Sequence, residues 1–358
     1  MSHVARHWRR LDDGRVRCEL CPRRCELAEG QRGVCFVRAN EAGRLVSTTY
    51  GRSSGFCVDP IEKKPLNHFL PGTAVLSFGT AGCNMLCRFC QNWDMSKARE
   101  MDILCEQAAP EAIARAAAEL GCHAVAYTYN DPAVFLEYAV DTALACRERG
   151  LRNVAVTAGY LEPAPREELF AHMDAANIDL KAFDEGFYRT LTGAELGPVL
   201  ETIEYVAGET DTWLELTTLV IPGENDSEAE LEALSAWVAE RLGPDVPLHF
   251  SAFHPDFRML DHPPTPPDTL RRAREIARAA GLRHVYLGNV RDPEGDTTRC
   301  PACGEALIER DWYQLRSWNL DERGRCARCG TPLAGVFEPR PGSWGPRALR
   351  VDLAQFAE

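Results

Sequence analysis

The sequence predicts an α/β fold built on a parallel sheet, either barrel-like or doubly wound, with a small cysteine-rich element on each side. Two observations support this prediction. Short apolar, β-branched runs alternate six or seven times with longer helical patterns, as parallel strands and their crossover helices do. Eleven of the 15 cysteines fall into three tight groups, one before the alternating region, one near its start and one after it.

The alternating region extends from residue 72 to about residue 292. Seven runs in it are predicted strands: 74–78, 124–128, 154–157, 177–180, 214–220, 248–252 and 284–287. Four clear helical patterns lie between them, at 110–120, 133–149, 228–241 and 267–280. We therefore divide the chain into an N-terminal cysteine-rich segment (1–71), an α/β region (72–292) and a C-terminal cysteine-rich element with a tail (293–358).

Charge and composition exclude several classes of function. The formal net charge of −13 disfavours nucleic acid as a partner, because a phosphate backbone would meet a repulsive field. The first residues contain no apolar run that could serve as a signal peptide, and no stretch is suited to span a membrane. Closely spaced thiols in a chain of this size indicate metal ligands in the reducing cytoplasm. Cys57, Cys105, Cys122 and Cys146 lie outside the groups and are expected to be small buried residues.

The central group, Cys83, Cys87 and Cys90, directly follows the first predicted strand. In a barrel this is the end at which active sites form. Thiolates usually fill all four iron positions of a [4Fe-4S] cluster. Three cysteines without a nearby fourth leave one iron open, which can chelate the amino and carboxylate groups of S-adenosylmethionine (SAM). The alternatives are a zinc loop that lacks one ligand, or three cysteines that have this spacing by chance.

This CxxxCxΦC pattern, with the aromatic Phe89 before its last cysteine, resembles the radical SAM superfamily. Residues 58–66, 76–95 and 127–132 resemble the AmmeMemoRadiSam subfamily, which is related to pyruvate formate-lyase activating enzymes. The resemblance implies a partial (βα)6 TIM-like radical SAM barrel over residues 72–292, open on one side to admit the substrate. It implies cleavage of SAM to methionine and a 5′-deoxyadenosyl radical that abstracts hydrogen from an unidentified substrate. It also implies a one-electron donor of the flavodoxin or ferredoxin type, and it suggests Memo-type and AMMECR-type partner proteins.

The same resemblance implies contacts to SAM near the first two strands. Phe89 corresponds to the family's aromatic residue near the adenine. Most members have a Gly-Gly-Glu turn after the second strand, whose backbone meets the SAM amino group. This chain has Asn130 and Asp131 there, so one of these side chains is expected to replace the backbone contact. An ordinary Asn-Asp-Pro turn is the structural alternative.

Two further motifs are expected to reach SAM from later strands. Asp179 and Lys181 resemble an Asp-x-Lys motif that contacts the methionyl and ribose parts, and strand alternation puts both on one face. A structural ion pair within the barrel is the alternative. His254 matches the position of a ribose-contacting histidine, with His249 as its competitor and an ordinary barrel histidine as the alternative.

The two flanking cysteine groups have the spacing of metal sites. Cys300, Cys303, Cys326 and Cys329 form two CxxC turns that are typical of structural zinc, although rubredoxin-type iron shares the geometry. The N-terminal group contains four cysteines within 18 residues, and its spacing does not decide between zinc and an auxiliary Fe–S cluster. Its members are Cys18, Cys21, Cys25 and Cys35.

Two other functions compete with a SAM-dependent tailoring enzyme. A glycyl-radical-enzyme activating enzyme shares the chemistry but acts on a partner polypeptide. A non-catalytic metal-binding scaffold would use the three cysteine groups for interactions, but it does not explain the missing fourth thiolate. Lys63 and Lys64 would suit an anionic substrate if they faced the site, although solvated surface lysines are the more common case.

Overall fold

The computed structural model describes residues 3–98 and 108–356. The N-terminal part contains six short strands: β1 (His3–Val4), β2 (Trp8–Arg10), β3 (Val16–Cys18), β4 (Glu26–Leu27), β5 (Arg38–Glu41) and β6 (Arg44–Ser47). β2, β3 and β4 form one antiparallel sheet, and β1, β6 and β5 form another. The N-terminal cysteines lie on β3 and in the loops that connect β3, β4 and β5. One predicted structural cysteine, Cys105, lies outside the described residues.

A nine-stranded sheet forms the centre of the molecule. Its first eight strands in the chain are β7 (Ser54–Pro60), β8 (Ala74–Gly79), β9 (Ala124–Tyr127), β10 (Arg152–Thr157), β11 (Ala175–Asp179), β12 (Trp213–Val220), β13 (Leu248–Ala252) and β14 (Val285–Gly288). β8 to β14 are parallel and lie side by side in chain order. β7 is antiparallel to β8. All seven predicted strands are confirmed.

Helices connect the parallel strands and make six βα units. They are α1 (Trp93–Ser96), α2 (Pro110–Glu119), α3 (Leu136–Glu148), α4 (Pro163–Phe170), α5 (Glu185–Phe187), α6 (Leu196–Glu209), α7 (Glu228–Arg241) and α8 (Pro267–Ala279). Short 3-10 helices cover Ile61–Lys63, Pro132–Phe135 and Leu353–Phe356, and Tyr188–Thr192 forms a π-helical turn. The four predicted helices are confirmed. None of the described helices is long and apolar enough to cross a membrane.

Residues 61–71, here called the plug, fill the interior of the parallel sheet. Leu66, Phe69 and Leu70 pack against small apolar side chains on the inner face of β8 to β11. The backbone N–H groups of Asn67 and His68 donate to the buried Glu215 on β12, at 2.9 and 2.7 Å. The boundary predicted at residue 72 therefore falls inside the barrel, because β7 joins its sheet and the plug supplies its core.

The C-terminal part contacts the barrel and the plug at several places. β15 (Thr298–Arg299), β16 (Ala306–Asp311) and β17 (Gln314–Trp318) form an antiparallel sheet, here called the ribbon sheet. The buried Arg310 on β16 donates to the plug carbonyl of Asn67 at 2.7 Å. The last strand, β18 (Leu349–Arg350), pairs antiparallel with β7. The predicted segment 293–358 is thus attached to both the sheet and the plug.

Candidate active site

The cysteine loop follows β8 and is fixed by contacts to its neighbours. Asn130 accepts a hydrogen bond from the N–H of Thr80 at 3.0 Å and donates to the carbonyl of Gly82 at 2.8 Å. Gly82 has φ +80°, and a Cβ at this position would lie 2.0 Å from the carbonyl oxygen of Cys35. Only glycine fits this close approach without a shift of the backbone. The loop is therefore held between the end of β9 and the N-terminal cysteine segment.

The sulfurs of Cys83, Cys87 and Cys90 are not gathered around a single ion. They do not belong to any group of described His, Cys, Asp or Glu residues whose ligand atoms all lie within 4.8 Å of one another. The N–H of Met85 donates to the Cys83 sulfur at 3.4 Å, and the Ser96 hydroxyl lies 3.1 Å from the Cys90 sulfur. Spread thiolates with such donors fit a cluster whose irons occupy separate corners better than one zinc ion.

A cavity of about 400 Å³ lies at the carboxyl ends of the parallel strands. This volume is within the range of about 300–1,000 Å³ that small-molecule sites occupy. Every one of the seven parallel strands, or the loop after it, contributes to the lining, so the sheet curves around this space. The lining includes the three central cysteines and five of the predicted SAM contacts, which are Phe89, Asn130, Asp131, Asp179 and Lys181.

Asp179 and Lys181 face the cavity as an ion pair. The ammonium nitrogen of Lys181 lies 2.8 Å from a carboxylate oxygen of Asp179. Burial alone would lower the pKa of Lys181, but the charges of Asp179 and Cys87 raise it above its ordinary value. The Asp179 side chain is 35% exposed. The predicted common face is confirmed, and the pair combines a cation and an accessible carboxylate.

Asp131 lines the cavity but accepts several hydrogen bonds from its own chain. One oxygen accepts from the N–H of Ala133 at 3.0 Å and from the Thr157 hydroxyl at 2.9 Å. The other accepts from the N–H of Ala158 at 2.8 Å. Burial raises the pKa of this carboxyl, and the donors oppose the increase. Asp131 therefore joins the end of β9 to the end of β10.

The two histidines considered for a ribose contact occupy other places. His254, two residues past β13, is exposed and lies outside the residues that line the cavity. His249 is buried and lies 2.7 Å from Glu215. It lines a smaller adjoining space of about 80 Å³. The exposed position of His254 adds no support to its predicted ribose contact, which stays a prediction.

Several lining residues were missed or misjudged from the sequence. Lys63 and Lys64 both line the cavity. The Lys63 side chain is 42% exposed, as expected of a solvated lysine, whereas Lys64 is only 3% exposed. Both ammonium groups lie 2.9 Å from the carboxylate of Asp59. Lys97 and Tyr313 also line the cavity, and no motif marked either one. Tyr313 lies far along the chain from the other lining residues, whereas Lys97 lies only seven residues after Cys90 but belongs to no motif.

The flanking cysteine groups differ in geometry. In the C-terminal group, Cys300 and Cys329 have sulfurs 3.6 Å apart, and Cys303 and Cys326 have sulfurs 3.8 Å apart. All four ligand atoms lie within 4.8 Å of one another. Thiolates about 2.3 Å from one tetrahedral ion adopt such spacing. The N-terminal cysteines instead surround a separate small cavity.

The chain belongs to the radical SAM superfamily, whose model matches residues 78–234, from β8 into α7. Members of this superfamily are enzymes that use a [4Fe-4S] cluster and SAM, and the spread cysteines beside a ligand-sized cavity fit both groups. The chain therefore has radical SAM activity.

Among particular proteins, the chain is 43% identical to the uncharacterized protein MJ0808 of Methanocaldococcus jannaschii over 330 residues, 92% of this chain and 98% of that one. It is 27% identical over 128 residues to the pyruvate formate-lyase-activating enzyme of Clostridium pasteurianum, 34% of this chain and 52% of that one. The crystal structure of Streptococcus suis SuiB bound to S-adenosylmethionine matches with a TM-score of 0.48 and 13% identity. That match covers 64% of this chain and 53% of SuiB.

Proposed function

We propose that this radical SAM enzyme modifies a small anionic substrate, with Cys83, Cys87 and Cys90 as the cluster ligands and the 400 Å³ cavity as the site for SAM and substrate. When bound, the cluster and SAM supply a 5′-deoxyadenosyl radical after a one-electron reduction. One observation carries this proposal. Side chains from all seven parallel strands, or the loops after them, converge on a cavity that has these cysteines in its wall.

The chain orients SAM with the groups that retain hydrogen-bonding capacity. Asp179 is in position to accept from hydroxyl or amino groups, and Lys181 is in position to donate to a carboxylate. Phe89 supplies an apolar surface suited to the adenine, 5.7 Å from Phe187. Asn130 acts as a positioning residue, because its amide is engaged by the cysteine loop. The geometry gives His254 no role in this proposal.

Positive charge on the cavity wall favours an anionic substrate. Lys63 and Lys64 share the single carboxylate of Asp59, so this carboxylate does not neutralise both ammonium charges. Lys97 donates to the carbonyl of Met85 at 2.8 Å and adds a further ammonium group to the lining. Inside a cavity such charges are screened less by salt than surface lysines are.

The ribbon sheet favours a small molecule over a polypeptide loop. Tyr313, in the turn between β16 and β17, lines the cavity together with Lys63. The plug fills the barrel interior below, so access is restricted to the mouth at the carboxyl ends of the strands. These contacts support a tailoring enzyme over a glycyl-radical-enzyme activating enzyme.

The remaining assignments extend the same proposal. Zinc is assigned to the C-terminal group because its sulfur spacing suits one tetrahedral ion. A flavodoxin or ferredoxin in the cytoplasm would supply the electron that the reaction needs. The AmmeMemoRadiSam resemblance suggests Memo-type and AMMECR-type proteins as partners in the same pathway.

Two measurements test the substrate class: 5′-deoxyadenosine formation and electron paramagnetic resonance. The reduced enzyme is mixed with SAM and either a cell extract freed of protein or the protein fraction of that extract. We expect the small-molecule fraction to increase 5′-deoxyadenosine formation several-fold over the SAM-only background. A persistent carbon-centred doublet on a glycine of a partner protein would contradict the proposal and establish an activating enzyme.

A further inference from the structure

The N-terminal cysteines enclose a cavity of their own. Cys18, Cys21, Cys25 and Cys35 line it, together with two arginines and Asn84. Gly33 faces this space, and its Cβ position would lie 3.7 Å from the sulfurs of both Cys25 and Cys35. Four cysteines directed at one enclosed space indicate a bound inorganic group, because free thiols gain nothing from this convergence.

The spacing of these sulfurs argues against a single zinc ion. Among the described residues, the C-terminal cysteines form a group whose ligand atoms all lie within 4.8 Å of one another, and no three of the N-terminal cysteines do so. Cys83, Cys87 and Cys90, which we propose as the ligands of the catalytic cluster, share this wider spread. Irons at separate corners hold their thiolates farther apart than one ion does.

The surroundings place hydrogen-bond donors and one cation beside the sulfurs. Backbone N–H groups of Leu20 and Arg23 donate toward the sulfurs of Cys18 and Cys21. The buried Arg38 lies near Cys18 and Cys35, and a two-point ion pair with Glu137 holds it at 2.8 and 2.6 Å. Donors and a fixed cation beside the sulfurs are the outer-shell features that tune Fe–S clusters.

This cavity shares a wall with the catalytic cysteine loop. Asn84, the neighbour of Cys83, lines it, and the Cys35 carbonyl lies against Gly82. Arg23 donates to the carbonyl of Asn84 and, at 2.6 Å, to that of Gly193. The two sets of cysteines are therefore separated by the thickness of one packed loop.

We propose that Cys18, Cys21, Cys25 and Cys35 hold an iron–sulfur cluster that relays single electrons to the catalytic cluster. A low-potential carrier protein is oxidised by one electron and reduces the N-terminal cluster. That cluster then passes the electron to the catalytic cluster and returns to its initial state. The relay rests on the proposed function of the triad, whereas the presence of the cluster does not.

Metal analysis of the full chain with C83A, C87A and C90A combined tests the site, since the N-terminal cysteines remain intact. The protein is purified without oxygen, and iron, zinc and acid-labile sulfide are measured per chain. We expect iron and sulfide for one cluster, with zinc from the C-terminal group. Zinc for two sites without sulfide would overturn the proposal, whatever the wild-type enzyme does with SAM.

Electron paramagnetic resonance of the dithionite-reduced wild-type chain tests the relay. Two reduced clusters separated by one loop should couple magnetically and broaden each other's signals. The comparison is the triple variant, which should show the narrower spectrum of the N-terminal cluster alone. A wild-type spectrum that equals the sum of the spectra of two uncoupled clusters would contradict the relay.

Discussion

At the scale of single residues, hydrogen-bond saturation separates side chains that hold the fold from those available to a ligand. Glu215 accepts from the N–H groups of Asn67 and His68 and from the ring of Trp213, and it contacts His249, so its carboxylate is committed to the barrel interior. Asp179 is paired with a single lysine at the cavity surface and is 35% exposed. A buried polar group that already has its partners contributes structure, whereas a partly open one can bind.

The Asp179–Lys181 pair should therefore govern SAM affinity. Asp179→Asn and Lys181→Ala each remove a charged hydrogen-bonding group, which is worth about 1.5–3 kcal/mol. We expect SAM binding to weaken by roughly 10- to 100-fold without loss of iron. Equilibrium binding to the reconstituted protein measures the effect. Glu204→Gln, in a surface pair with Arg241, serves as the control. Unchanged affinity in both variants would make the pair structural.

Sequence reasoning located the residues that share one motif or one strand. The central cysteines, Phe89 and the Asp179–Lys181 pair follow from local spacing and alternation. His254 was chosen by its place in a motif, but the structure leaves it exposed and outside the cavity lining. Lys64 lies only five residues after its partner Asp59, but its burial depends on the closure of the barrel, which no local pattern records.

At the scale of elements, the plug carries a buried acid. One oxygen of Glu62 accepts from the N–H of Gly72 at 2.7 Å, and the other has no hydrogen-bond partner among the described residues. Burial raises the pKa of this carboxyl to about 7. The folded protein therefore binds this proton more tightly than the unfolded chain does. Once the proton is lost, the buried carboxylate destabilises the plug.

The raised pKa of Glu62 predicts a pH-dependent stability. The stability that the Glu62 carboxyl contributes is fully present below its unfolded pKa of about 4.5 and is lost as the pH rises through about 7. The Glu62→Gln variant should be more stable than wild type at pH 8, by up to about 3 kcal/mol in the free energy of unfolding. This difference should be smaller at pH 6. Denaturant unfolding of both proteins at the two pH values provides the measurement. An equal difference at both values would rule out the titration.

Loss of the metal site beside the ribbon sheet should lower the stability of the protein but leave SAM cleavage intact. Combined Cys303→Ser and Cys329→Ser removes two of four thiolates, so we expect loss of one zinc ion per chain and a lower unfolding temperature. SAM cleavage without substrate should persist, because the predicted SAM contacts lie in the barrel. Metal analysis and 5′-deoxyadenosine assays decide both points. Release of iron instead of zinc would reverse the metal assignment.

Elements with strong local periodicity were predictable, and those defined by tertiary contacts were not. All seven parallel strands carry apolar runs, and α2, α3, α7 and α8 show helical spacing. α4 is short and α6 contains Gly197, Pro198 and Gly208, so neither shows a clear pattern. The plug appeared as a turn-rich segment, because its partner Glu215 lies about 150 residues away in the chain.

At the scale of the whole molecule, the three cysteine groups have distinct positions relative to one barrel. The central group lies at the carboxyl ends of the strands. The N-terminal group packs against the central group at Gly82. The C-terminal group belongs to the part of the chain that reaches the cavity through Tyr313. Sequence spacing identified all three groups. Their proximity could not be predicted, since it depends on how the flanking segments fold back onto the sheet.

The central claim is that the cysteines after β8 hold the cluster that cleaves SAM, and product formation tests it most directly. The anaerobically reconstituted, reduced protein is incubated with SAM, and 5′-deoxyadenosine is measured by chromatography. We expect formation in wild type and in the buried-cysteine control Cys122→Ala, and its loss, by at least about 100-fold, in Cys83→Ala, Cys87→Ala and Cys90→Ala. Wild-type levels of 5′-deoxyadenosine from the triple variant would contradict the account.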